Sequence, residues 1–309
     1  MTKACCVPDS GRESRATDGR VGGGLSPTTL VDVPDASFVM GDESRWSYPG
    51  DGEGPTHEVE LTAFAIDRFA VTNDQFATFV DATGHVTDAE RYGWSFVFAG
   101  FLPDDFPETR AVVGAEWWRQ VYGSDWCHPT GPHSDLEGLA DHPAVHVSWG
   151  DAQAYCEWTG TRLPTEAEWE CAARAGSRGP FPWGDELEPD GEHRMNVFQG
   201  QFPVQNDCAD GFAATAPVDA FPPNSMGLHN VTGNVWEWCA DWYDPVYYAQ
   251  SPRRNPMGPD VGTHRVMRGG SYLCHLSYCR RYRVSARQGS EPASSAGNVG
   301  FRVARSLLI

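Results

Sequence analysis

The sequence predicts a single compact α+β domain built from short helices, short strands and many ordered turns. Three observations predict it. The 309 residues include 33 Gly and 23 Pro, and so many backbone breakers argue against a helix bundle. The chain also carries 12 Trp, large aromatic plates suited to wedging between loops. Capped helical segments are interspersed with short alternating stretches, with no internal repeat and no Pro/Ser-rich linker after the N-terminal tail. One core is then the economical arrangement.

Residues 1–28 hold no apolar run of the kind a secretory signal needs, and they read as a disordered tail in which Cys5 and Cys6 are incidental. The domain is therefore placed at 29–309, with order beginning near Leu30. VDVPDASFVMGD and THEVELTAFAIDRFAVT alternate as short strands joined by turns. A helix follows: Thr72 caps it, Gln75 completes a capping box, Phe76, Phe79 and Val80 form its apolar face, and Gly84 stops it. A second helix is capped by Ser148, turns Ala152, Tyr155 and Trp158 inward and stops at Gly160. A third starts at Thr165, with Glu168 at the capping-box position and Gly176 as terminator. Between the first two, residues 91–141 form an irregular stretch with Trp94, Trp117, Trp118 and Trp126, read as structured loops lining a groove. Near the end, RRYRVSAR alternates as a strand, and GFRVAR at 300–305 is its expected partner.

A formal net charge of −19, from 42 acidic and 23 basic residues, repels phosphate backbones and excludes nucleic acid as a partner. The same surface attracts a basic peptide or a metal cation. No window reaches the roughly 18 apolar residues of a membrane span, so no membrane partner is expected. Nine cysteines, an odd count without framework spacing, point to thiols in a reducing, cytoplasmic setting. A close thiol pair then reads as metal-binding or catalytic.

That pair is Cys274 and Cys279, in RGGSYLCHLSYCRRYR. Five residues apart, their side chains would face opposite sides of a strand. They converge only if the intervening residues turn, and Gly269 and Gly270 supply backbone freedom upstream. Two thiolates suit a soft, low-coordinate ion such as Cu(I) better than Zn(II), which takes four ligands. The spacing alone is equally compatible with two unrelated core thiols. His275 is either a third ligand or a loop histidine facing solvent. Arg280, Arg281, Arg283 and Arg287 either favour thiolate or form a solvated strand face. His142 and His146 have i, i+4 spacing, but Pro143 and the alternating AVHVSW favour an extended segment and structural roles. Two oxygen-rich clusters, with Asn196 and Asp210 in one and Asn230, Asn234 and Glu237 in the other, suit a hard cation such as calcium. In NVWEWC, alternation sets Trp236 and Trp238 opposite Glu237, one face for a pocket and one for a cation. P-loop, dinucleotide-binding, nucleophile-elbow and HExxH motifs are absent from the sequence.

The chain resembles the formylglycine-generating enzymes, the sulfatase-modifying oxidases, over roughly residues 30–306. The blocks that carry the resemblance include FVMGD, HPAVHVSWGDAQAYCEWTGTRLPTEAEWE, MNVFQGQFP, DGFAATAPVDAFPPNSMGLHNVTGNVWEWCADWY and RGGSYLCHLSYCRRYRVSAR. RLPTEAEWE and GNVWEW mark the wider superfamily, whereas GGSYLCHLSYC carries the paired cysteines that inactive relatives lack. The resemblance implies a C-type-lectin-like, sulfatase-modifying fold with little regular secondary structure, acting as a monomer. It implies that Cys274 and Cys279 bind Cu(I), and that a cysteine of an unfolded sulfatase, in a C-x-P-x-R context, joins as a third thiolate. O2, with a thiol reductant as the other expected partner, is then reduced, and a hydrogen leaves the substrate Cβ. The substrate carbon becomes a thioaldehyde and hydrolyses to formylglycine. Ser271, Tyr278 and Trp236 match positions lining the oxygen and substrate-thiol pocket, and Arg281 one that steadies it. Structural Ca2+ is implied at Asn196, Val197, Asp210 and Phe212, and again at Asn230, Gly233, Val235 and Glu237. The apolar members of each set would contribute backbone carbonyls.

The chain departs from the family in several places. Val284 and Val303 replace the cysteines that staple secreted members, which leaves Cys156 a thiol. SEPASS stands at 290–295 where many members read NTPDSS, Leu276 follows His275, and Trp94 replaces a small or acidic residue. These changes fall near the peptide groove and bear on substrate preference. Two alternatives are a non-catalytic peptide-binding paralogue, indifferent to Cys274→Ser, and a non-haem-iron sulfoxide synthase relative. The latter needs an added N-terminal helical domain with a histidine–carboxylate triad.

Overall fold

The computed structural model of the protein describes residues 6–13 and 29–307. Within them, each α-helix starts on a capping box, so local chemistry decides where helices begin. Helix α1 (Asn73–Thr83) is capped by Thr72 and Gln75 and closed by Gly84 in the left-handed region. Helix α2 (Asp88–Tyr92) is capped by Thr87 and Glu90, and lies at the edge of the segment read as irregular. Helix α3 (Trp149–Thr159) is capped by Ser148 and Asp151 and closed by Gly160. Helix α4 (Glu166–Arg174) is capped by Thr165 and Glu168, but its C-cap is Ala175 at φ +47°, one residue before the expected Gly176. An L-residue there carries a Cβ penalty that glycine avoids. Ala175→Gly is expected to raise stability by about 0.5–1 kcal/mol, read as a higher urea midpoint at unchanged m-value.

Fourteen short strands fill the rest of the described chain: β1 (Leu30–Val33), β2 (Ala36–Met40), β3 (His57–Leu61), β4 (Phe64–Asp67), β5 (Trp94–Phe98), β6 (Ala111–Val112), β7 (Ala115–Tyr122), β8 (Gly200–Gln201), β9 (Gln205–Asn206), β10 (Trp236–Trp242), β11 (Arg265–Arg268), β12 (Arg287–Ser290), β13 (Val299–Gly300) and β14 (Ala304–Ser306). They form small sheets with orders β1-β4-β14, β12-β11-β10-β13, β5-β7-β6, β2-β3 and β8-β9. The expected strands between Leu30 and Thr72 are present as β1–β4. Residues 91–141 were expected to be irregular, yet they hold a three-stranded antiparallel sheet in which β7 pairs with both β5 and β6.

The expected pairing of RRYRVSAR with GFRVAR does not occur. Residues 281–286 are irregular, β12 pairs with β11, β13 runs parallel to β10, and β14 pairs with β4. The alternation there reflects ion pairing rather than a half-solvated strand. Arg268, Arg283, Arg287 and Arg302 are among the largest fully buried side chains. Arg283 grips Glu53 at 2.7 Å through both terminal nitrogens, and Arg287 grips Glu166 at 2.7 and 2.8 Å. A buried guanidinium survives only when paired in this way. Trp118, Trp169, Trp236 and Trp238 are equally buried, the aromatic plates expected from composition.

The first 28 residues do not all behave as expected. Cys6–Glu13 lie against the domain, with Cys6 and Val7 inside the principal hydrophobic cluster. Disorder was inferred from the missing apolar run, but bonds to the domain order this segment. Cys5 and residues 14–28 lie outside the described residues.

Candidate functional site

The central sheet delivers the site. Strand β11 ends at Arg268, and the chain leaves it through Gly269 and Gly270, both at positive φ. A Cβ on Gly270 would sit 2.8 Å from Arg281 O and Tyr282 Cα, so only glycine lets the outgoing and returning chain pass this closely. Beyond it, Cys274 N–H donates to Ser271 O, and Cys279 and Tyr278 N–H both donate to His275 O. This is the turn that convergence requires, and it brings Cys274 Sγ within 3.4 Å of Cys279 Sγ. Both are buried. The eight described cysteines are thiols rather than disulfides.

A third sulfur adjoins them. Cys6 Sγ lies 3.2 Å from Cys279 Sγ, so Cys6 is not the incidental tail thiol the sequence suggested. Arg281 Nη1 faces two of these sulfurs, 3.4 Å from Cys6 and 3.6 Å from Cys279, while its Nη2 donates to Asp51 at 3.0 Å. Among the described residues, Arg281 is the one of the four neighbouring arginines that faces the thiols. Arg280 reaches Arg45 O and the Trp46 and Tyr48 rings, and Arg283 and Arg287 serve the buried ion pairs. His275 bonds Ser277 Oγ at 2.8 Å rather than joining the sulfurs.

Burial pushes the Cys274 thiol well above its ordinary pKa, and its contact with Cys279 adds to the rise. The Ser271 N–H and the Arg281 charge pull the other way but do not prevail. The proton therefore stays on Cys274 until something replaces it. Burial also raises the Tyr282 phenol.

Ser271, expected beside the pair, directs its backbone N–H at Cys274 Sγ, 3.4 Å away. Ser271 Oγ accepts from Asn298 Nδ2 at 3.0 Å, and the same amide donates to Cys6 O at 3.0 Å. Trp236 is fully buried at the start of β10, and its backbone N–H donates to Asn298 O. Tyr278 stacks on Phe202 with centroids 4.4 Å apart and meets the Trp117 edge at 4.8 Å. Sequence reasoning missed Cys6, Asn298 and Tyr282.

The two oxygen clusters lie side by side. Asn234 N–H donates to Asn196 O at 2.8 Å, and Asn196 Nδ2 donates to Asn234 Oδ1 at 3.2 Å. In the first cluster Asp210 accepts from Val197 and Phe212 N–H at 3.0 Å each, so its four members are together. Asn196 Oδ1 is buried without a hydrogen-bond partner among the described residues. An orphaned buried acceptor costs about 1–3 kcal/mol, and a cation would relieve it. In the second, Asn230 Oδ1 is orphaned in the same way. Glu237, however, already receives Arg302 at 2.6 Å on both oxygens and Trp169 Nε1 at 2.7 Å. That set offers oxygen ligands without spare negative charge, so a hard cation fits the first cluster better.

His142 and His146 are not brought together as ligands. His142 bonds Thr215, whereas His146 is buried between Ser95 Oγ and Pro129 O, with its pKa pushed down to about 4 by burial.

The sulfatase-modifying factor enzyme 1-like domain family matches residues 23–307. A Thermomonospora curvata protein named formylglycine-generating enzyme is 55% identical over 280 residues, which cover 89% of this chain and 92% of that protein. A Streptomyces coelicolor protein of the same name is 55% identical over 276 residues, covering 89% and 88%. Among solved structures, PvdO from Pseudomonas aeruginosa is similar with a TM-score of 0.65 at 27% identity, covering 95% of this chain and 100% of that one. With a family match across nearly all of its length, the chain belongs to the sulfatase-modifying-factor family, the formylglycine-generating enzymes.

Proposed function

We propose that the chain uses copper and O2 to oxidise a cysteine, in a C-x-P-x-R motif of an unfolded sulfatase, to Cα-formylglycine. The observation that carries this reading is the buried thiol pair, Cys274 and Cys279 at 3.4 Å, beside the Arg281 guanidinium. Cu(I) bound by two thiolates would supply a soft centre able to accept a third thiolate and to react with O2. The donor set fits such an ion: two sulfurs in an apolar pocket, with the Arg281 cation offsetting the charge left when thiol protons depart. Because Cys274 holds its proton tightly, metal loading releases it.

The chain's other residues position and exclude. Arg281, fixed by Asp51, favours thiolate where the substrate sulfur arrives. Ser271 directs its backbone N–H at Cys274 Sγ, and Asn298 ties the Ser271 hydroxyl to Cys6 O. Tyr278 packs with Phe202 and Trp117 as an aromatic wall next to Cys279, and the reading assigns buried Trp236 to the same pocket. The electrons balance as follows: the substrate's Cβ–H and S–H bonds and a thiol reductant together reduce O2 to water. Hydrolysis then releases hydrogen sulfide and leaves the aldehyde. We extend the reading to structural Ca2+ at Asn196, Val197, Asp210 and Phe212; at Asn230, Gly233, Val235 and Glu237 the Arg302 pair already takes up the Glu237 charge, so no ion is assigned there. We extend it also to a monomer and to a cytoplasmic location, a reducing setting suited to the thiols of the described cysteines.

The test is incubation with a C-x-P-x-R peptide, Cu(I), O2 and a thiol reductant, read by mass spectrometry. Conversion of the peptide cysteine to the aldehyde is expected with copper and not with iron. Peptide that binds but keeps its mass would reveal a binding module, and conversion with iron alone would overturn the copper reading.

A further inference from the structure

The segment Cys6–Glu13 is laid along the domain by contacts at every step. Cys6 Sγ reaches Cys279 and Arg281, and Cys6 O accepts from Asn298. Val7 is 2% exposed. Asp9 accepts from Glu291 N–H at 3.1 Å and lies 3.2 Å from His264 Nε2. Ser10 N–H donates to Ser294 Oγ at 2.8 Å, and Gly11 N–H to Glu291 at 2.7 Å. Arg12 donates to Ala293 O, Ser295 Oγ and Trp94 O, and its guanidinium stacks 3.9 Å over the Trp94 ring. The partners of Ser10, Gly11 and Arg12 fall within residues 290–295 and at Trp94, the departures from the family pattern that lie by the expected peptide groove.

The order of side chains in this segment is informative. Cys6, Pro8 and Arg12 repeat the sequence of elements in C-x-P-x-R, with two further residues before the arginine. The cysteine ends at the dithiol, and the arginine ends where two carbonyls and a hydroxyl accept from its terminal nitrogens and an indole face lies beneath, with its Nε left without a partner among the described residues.

We propose that Cys6–Glu13 is a pseudosubstrate in cis. It fills the substrate groove of the resting chain and sets the Cys6 sulfur where a substrate thiol is to react. This rests on the reading of Cys274 and Cys279 as the reactive pair, and it deepens that reading into regulation. A substrate must displace the segment, so the apparent affinity falls by the fraction of time the groove stands open. The longer spacing to Arg12 distinguishes plug from substrate.

Two readouts on the metal-free, full-length protein test the proposal. The first is alkylation of Cys6, mapped by fragmentation so that Cys5 is scored separately. Cys6 is expected to react at least roughly tenfold more slowly than an exposed thiol, and saturating C-x-P-x-R peptide is expected to speed it. The second is fluorescence anisotropy of a labelled C-x-P-x-R peptide in which serine replaces the cysteine. Arg12→Ala, alone and with Cys6→Ala, is expected to tighten binding about tenfold, the factor for a plug that holds the groove about nine-tenths of the time. Equal or weaker binding by the variants overturns the pseudosubstrate alone, as does peptide binding that leaves Cys6 protected. Protection that Arg12→Ala releases, with no peptide bound by either protein, overturns the substrate reading and the pseudosubstrate with it. Conversion of Cys6 itself to an aldehyde in the loaded enzyme would make the segment a substrate, not a plug.

Discussion

Replacing Cys279 by serine is expected to abolish conversion of a C-x-P-x-R peptide, lowering turnover by at least roughly three orders of magnitude, while the domain stays folded. Cys279 Sγ is the atom in contact with both Cys274 Sγ and Cys6 Sγ, and it also faces Arg281. Serine keeps the backbone bond to His275 O that forms the turn, so the loop retains its course. What it loses is a soft, polarisable ligand: an alkoxide is a poor partner for a soft d10 ion, and a neutral hydroxyl poorer still. The structural cost is that of one hydroxyl in an apolar pocket, about 1–3 kcal/mol, within the stability of an ordinary domain. Cys274→Ser is expected to behave alike. The measurement is a single-turnover mass assay paired with a urea melt for each variant. Normal turnover in both would rule out the dithiol as the reactive centre. Lost turnover with a collapsed melt would point instead to a purely structural pair.

Arg268→Met is expected to be the most destabilising of the single changes considered, at about 3–5 kcal/mol. Arg268 is fully buried and holds Glu166 at 3.0 Å, Glu170 through its other terminal nitrogen, and Val284 O at 2.7 Å. Methionine fills much of the volume but leaves two buried carboxylates with less positive charge. Arg287 still serves Glu166 and Arg174 still serves Glu170, so the loss is large rather than total. Exposed pairs such as Arg253 with Glu58, 59% and 61% accessible, should contribute about 1 kcal/mol at most. Urea unfolding reads the difference directly. Adding Glu170→Gln to Arg268→Met should recover part of the loss, since it removes a stranded charge. No recovery would mean that Arg268 acts mainly through its packing and carbonyl bonds. Because Arg268 immediately precedes the glycines that launch the cysteine loop, turnover should fall along with stability.

The distance in sequence over which each feature is decided separates what was legible from what was not. Helix starts were legible at Thr72, Ser148 and Thr165, because a capping box is complete within four residues. The box at Thr87 was passed over because it borders a tryptophan-rich stretch without periodicity. The strands of 91–141 were missed because edge pairing, not alternation, specifies them. Arginine alternation at 281–287 imitated a half-solvated strand because guanidinium groups look exposed until their carboxylates are known.

By itself the sequence determined one α+β domain, three of the four helices, the requirement that the residues between Cys274 and Cys279 turn, and the family to which these motifs point. Only the tertiary structure decided which groups share the pocket. Cys6 and Cys279 stand 273 residues apart, and Arg283 and Glu53 stand 230 apart. No local pattern encodes such pairings, because they form only when the finished core excludes water and each buried charge or sulfur must find a partner.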